Sequence, residues 1–175
     1  VQQTRDLGLI PEPIIAELKR EAGSEFDILR DPQANAFKSR LGKIAVAASA
    51  GIEALPQLLT AAEDSASAIR YWGATGVGNI GADAKEAAEQ SMRKLLHDPS
   101  SAVRTAAARA LCRMGLPDDA LPVLVDELTT GAQWERLHAA IVLDQIDEQA
   151  RPVVEQMKQG LKYQKGFNSD GKYRV

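Results

Sequence analysis

Apolar residues along this chain recur at the three- and four-residue steps of a helix face, and the same register returns several times. The clearest instance is residues 98–115. With Arg104 as origin, Ala107 and Ala108 stand three and four places on, Leu111 seven, Met114 ten and Gly115 eleven. This is one apolar helical stripe closed by a glycine. The same ruler laid on Arg70 finds Gly73, Ala74, Val77, Ile80 and Gly81; laid on Arg136 it finds Ala139, Ala140, Leu143, Ile146 and Asp147. Laid on Arg40 it finds Ile44, Ala47, Ala50 and Gly51, the second helix of a more degenerate unit over residues 34–50. Each later stripe follows a first helix, expected over residues 52–62, 83–96 and 118–128, and residues 150–161 begin one more. Pro56, Pro122 and Pro152 fall in or just past the first turns of these helices, where a missing N–H is best tolerated.

The origins are 34, 32 and 38 residues apart (Arg70, Arg104, Arg136, Arg174), the last interval including a looser stretch at 166–171. Paired helices at such a period mean a solenoid, in which each pair buries its stripe only by stacking on its neighbours. The expected fold is all-α, a solenoid of stacked antiparallel helix pairs. Residues 1–32 read as a lead-in with a short helix opened by Pro11-Glu12-Pro13, and residues 33–175 as the repeat domain with its last repeat cut short. A truncated repeat leaves an apolar face open, so self-association there is an expectation.

Charge and composition narrow the function. The formal charge is −3, with few aromatic residues, which argues against a nucleic-acid partner. It is unevenly spread: residues 151–175 carry +4 and the first 150 carry −7, and the basic tail reads first as a solvated surface. No apolar run is long enough to span a membrane. Cys112 is the single cysteine, which excludes an intrachain disulfide. No signal peptide is visible and the first residue is Val, so the chain reads as a processed protein or a piece of a longer one.

Motifs that carry chemistry are scarce. Gly76-Val77-Gly78-Asn79-Ile80-Gly81 matches G-x-G-x-x-G, but residues 68–75 before it hold a helical register where a dinucleotide site needs a strand. The three glycines at 73, 76 and 78 more simply make room for a neighbour, with Trp72 one candidate. His97 and His138 fall in different repeats without a carboxylate cluster, and Asp118, Asp119 and Glu86 sit in first turns, where acids favour the helix dipole. No catalytic, cofactor or metal residue is therefore expected. A partner surface is expected on the outward edge of the second helices, from Tyr71, Trp72 and Thr75, through Thr105 and Arg109, to Leu137, His138 and Ile141.

Six residues before each origin sits Asp64, Asp98, Thr130 or Asn168. This Asp-to-Arg spacing, with Ile69 or Val103 just before the arginine, resembles the HEAT repeat. In that family turn acids and arginines stack as a ladder between repeats. The resemblance implies such a ladder here, from Asp64, Arg70, Asp98, Arg104, Arg136, Asn168 and Arg174, with a structural role. Three phrases are more specific: Leu7-Gly8-Leu9-Ile10-Pro11-Glu12, Ile69-Arg70-Tyr71-Trp72-Gly73-Ala74-Thr75-Gly76, and Trp134-Glu135-Arg136-Leu137-His138-Ala139-Ala140. They are similar to the C-terminal region of bacterial sulfatase-like enzymes, where a HEAT-like tail follows an α/β catalytic domain. Such enzymes need a Cys or Ser followed by x-Pro-x-Arg. Here Cys112 is followed by Arg113-Met114-Gly115, and the acidic calcium cluster is absent. The resemblance thus implies a non-catalytic accessory domain of an exported, periplasmic or extracellular hydrolase, with the catalytic domain as a protein partner in cis. The alternatives are a HEAT-like DNA glycosylase, against which the −7 of residues 1–150 speaks, and a free-standing scaffold.

Overall fold

The computed structural model describes residues 32–160. The lead-in up to residue 31, the final half-repeat from 161, and with them Asn168, Arg174 and the phrase at 7–12 lie outside the described residues. The α-helices in chain order are α1 (Pro32–Ala47), α2 (Leu55–Ala62), α3 (Ser67–Ile80), α4 (Lys85–Leu95), α5 (Ser101–Arg113), α6 (Pro117–Thr130), α7 (Gln133–Gln145) and α8 (Val154–Gly160). No strand occurs among the described residues. The G-x-G-x-x-G run accordingly lies within α3 and at its C-terminal cap.

The second helices α1, α3, α5 and α7 pack one against the next, and each of α3, α5 and α7 packs on the first helix of its own repeat (α2, α4, α6), giving two layers. The result is an all-α solenoid. Between the layers runs a core in which Leu58, Met92, Leu111, Leu124 and Leu143 are fully buried. Each such side chain contributes about 1.5–3 kcal/mol through burial. The alanines of the second helices set the spacing: Ala74, Ala107, Ala108 and Ala139 have no exposed surface, so neighbouring backbones come close. Gly73 carries this furthest. A Cβ built there would lie 2.8 Å from both the Leu58 carbonyl oxygen and the Ala62 nitrogen. The glycine therefore makes room for the backbone of α2, and Trp72 is not the neighbour in question. Gly78 likewise faces Ala110 and Arg109 of α5.

The stop positions of the sequence ruler all have positive φ: Gly51 (82°), Gly81 (73°), Gly115 (76°) and Asp147 (47°). At Gly115 the Leu116 N–H reaches back to the Leu111 carbonyl at 2.9 Å, so freed carbonyls at the helix end are satisfied. After Gly51, Gly81 and Ile146 the chain re-enters the helix through 3-10 turns (Ile52–Ala54, Gly81–Ala84, Asp147–Val153), so three of the expected first helices start tighter than an α-helix. The expected helix over 34–50 ends at Ala47, the last residues before Gly51 closing as turns onto Ile44, Val46 and Ala47.

Candidate functional site

Two constructions cross the repeats, one at the turns and one on the second-helix face. At the turns, the arginine of each second helix works in two directions. Arg70 Nη1 donates to the Asp64 and Ser65 carbonyls of its own turn (3.0 and 2.9 Å), while Nε and Nη2 donate to Asp98 Oδ2 and Oδ1 of the next (2.7 and 2.8 Å). Arg104 repeats the first half on Asp98 and Pro99 (2.8 and 3.1 Å). One repeat earlier, the more exposed Arg40 reaches Asp64 at 3.2 Å. Asp64 and Asp98 also bind the backbone N–H two residues on, Ala66 (2.8 Å) and Ser100 (2.9 Å), which fixes the turn.

The next rung is built differently. Thr130 turns back onto Asp126 of its own helix and does not meet Arg104. The acceptor is Glu127, one turn earlier in α6 and 3% exposed. It takes Arg104 Nε at 2.6 Å and the Ser101 hydroxyl at 2.5 Å. The N–H that a turn aspartate would hold, that of Ala132, goes to Glu135 Oε2 at 2.5 Å. Glu127 and Glu135 were missed because neither lies at the six-residue spacing. An acid on the apolar side of α6, three places after Leu124 and next to Leu128, is the sequence signal that points to the first. Arg136 is half-buried at the start of α7.

On the second-helix face, Asn79 Nδ2 donates to the Ala48 carbonyl (3.0 Å). Arg109 Nη1 donates to Asn79 Oδ1 (3.2 Å) and Nε to Gln145 Oε1 (3.0 Å). One polar strip thus ties α3, α5 and α7 together and reaches the end of α1. Beside it the Tyr71 ring stacks edge-on to Trp72 (centroids 5.6 Å) and meets the His138 ring (6.1 Å). Tyr71, Trp72, Thr75, Arg109, Leu137 and His138 are half-buried, and Ile141 is 46% exposed. Trp72 also packs against the core clusters on both sides of it.

Thr105 does not belong to this surface. It is fully buried, and its hydroxyl has no hydrogen-bond partner. α5 lies between α3 and α7, whose Tyr71 and His138 meet across it, so the position one past the arginine is open on the flanking helices and covered in the middle. Burial pushes the His138 imidazole below its ordinary value, Glu127 opposing and Arg109 adding to the shift. Burial also lowers Arg109, with Arg113 acting the same way and Tyr71 against it. Cys112, buried in the core, has its thiol pushed up to about 12, chiefly by burial, and is chemically inert at neutral pH. Among the described residues no group of His, Cys, Asp and Glu converges as metal ligands, and no helix is long and apolar enough to cross a membrane.

Stacked helix pairs in two layers, joined by an arginine–acid ladder at the turns, define the chain as an α-solenoid. The profile of the HEAT repeats family matches residues 55–144, just over half of the chain, and the chain belongs to that family. HEAT repeats point to a protein-interaction or scaffold role. No curated protein and no solved structure matches the chain. These comparisons thus lend no support to the likeness to sulfatase tails.

Proposed function

We propose that this chain is a non-catalytic docking module that holds a protein partner against the face of its second helices. The carrying observation is the strip from Asn79 through Arg109 to Gln145. It fixes a half-buried cation and two amides beside Tyr71, His138 and the exposed Ile141, across three repeats. Rigid aromatic, aliphatic and arginine side chains presented together are what protein contacts draw their affinity from. The turn ladder has a supporting role: it fixes the repeat-to-repeat geometry on which the face depends.

A photo-crosslinking side chain placed at Ile141 tests this, with the same group at the exposed Glu86 of α4 as reference. In the source organism, adducts to a defined protein from the Ile141 position and none from Glu86 are expected. Adducts from neither, or equally from both, would remove the face from the account. Attachment to a sulfatase-like hydrolase rests on the three sequence phrases alone. An immunoblot with a sulfatase assay on the captured protein decides it: a band at 18.9 kDa without activity leaves a free-standing scaffold.

A further inference from the structure

We propose that the second-helix face takes an acidic peptide segment of its partner, with Arg109 and Arg113 as the pair that receives a carboxylate. This rests on the docking role above and gives the partner a chemistry. The face is defined by four-residue steps along three helices: Tyr71, Thr75 and Asn79 on α3, Arg109 and Arg113 on α5, Leu137, Ile141 and Gln145 on α7. The two arginines are the only ionised side chains at these positions, in a chain whose formal charge is −3.

Five other arginines among the described residues are paired with acids. Arg40 holds Asp64, Arg70 holds Asp98, Arg93 holds Glu89 and Asp119, Arg104 holds Glu127, and Arg151 holds Glu148. Arg109 instead has two neutral amide acceptors, and neither it nor Arg113 has an ion-pair partner among the described residues. The amides orient the guanidinium without neutralising it. Arg113, one turn further along α5 and exposed, adds a like charge. The nearby acid on α7 does not supply the missing charge. Asp144 stands at the register of Gly78, which is turned to the following second helix, and among the described residues it forms no ion pair with Arg109, whose acceptors are Asn79 and Gln145. A carboxylate from outside would complete a charge-assisted, fork-like contact that the fold leaves open. Trp134 and Ile141, both 46% exposed and one seven-residue step apart on α7, favour an apolar side chain beside that acid.

The probe is a fluorescein-labelled dodecapeptide of repeating Glu-Glu-Leu, titrated with the full chain at low ionic strength and read by anisotropy, with the Gln-Gln-Leu peptide as its neutral twin. The acidic peptide is expected to bind about tenfold tighter than its twin. Arg113→Glu is expected to remove about tenfold of that affinity with an unchanged melting temperature, because Arg113 is exposed and has no ion pair among the described residues to lose. Arg109→Gln is expected to weaken binding in the same sense. Lys94→Glu, an equal charge change on an exposed residue of α4, is expected to leave binding unaltered. Equal binding of the two peptides, or equal losses from Arg113→Glu and Lys94→Glu, would overturn the proposal. So would a short single-stranded DNA that outbinds the peptide through these arginines, which would make the partner a polyphosphate. If the acidic peptide fails while the Ile141 crosslink stands, the acidic chemistry is wrong and docking survives; if the crosslink fails as well, docking falls with it.

Discussion

Asp98 carries two loads at once, receiving both forks of Arg70 and holding the Ser100 N–H. Where threonine replaces it in the next repeat, Glu127 takes the arginine and Glu135 takes the backbone N–H. The longer side chain lets the acceptor sit back inside α6, where it is almost wholly buried. Arg104→Ala would leave that carboxylate without its cation and should lower stability by about 3 kcal/mol, read as a fall in the urea midpoint. An unchanged midpoint would remove the rung from the account. Thr105 offers the opposite sign. Its buried hydroxyl has no partner, so Thr105→Val should raise stability by about 1–2 kcal/mol, seen as a higher thermal midpoint. Arg70, Arg104, Asp64 and Asp98 stand out in the sequence because they repeat at fixed spacing. Glu127 does not, since it belongs to the preceding helix and breaks that spacing. Nor does the burial of Thr105, which depends on rings from the two flanking helices meeting above the middle one.

At the scale of the element, the stop position shows how far local sequence determines a helix end. Gly51, Gly81 and Gly115 occupy it with positive φ, as the ruler predicts, and Asp147 occupies it at φ 47°. A side chain in that conformation costs roughly 1 kcal/mol relative to glycine. Asp147→Gly should therefore stabilise the end of α7 by about that amount, measured as slower amide exchange in α7 and a higher urea midpoint. The stop of each second helix is legible in the sequence, because glycine and alanine spacing sets both packing and helix ends, although α1 leaves the helix at Ala47, before its stop at Gly51. The first helices are less legible. Their 3-10 entries depend on how the chain leaves each stop, a geometry that apolar spacing does not encode.

At the scale of the molecule, the rings of Tyr71 and His138 come within 6.1 Å although a whole helix lies between α3 and α7. The second-helix layer thus brings side chains of two non-adjacent second helices together on one face. His138 is held there below its ordinary value of 6.5, mainly by burial. The sign of the pH effect follows. Above 6.5 the imidazole is neutral folded or unfolded and adds nothing. As the pH falls through 6.5 the unfolded chain takes up a proton that the native chain resists, so stability declines until the native group also titrates. The wild-type melting temperature should drop between pH 7.5 and 5.5 by more than that of His138→Gln, and parallel curves would exclude the histidine as the cause.

The strip from Asn79 through Arg109 to Gln145 also links three second helices in series. Spreading one of those helices from the next lengthens a link of that series. Whatever grips Arg109 therefore bears on the spacing of three repeats, and a change in that spacing is felt at Arg109.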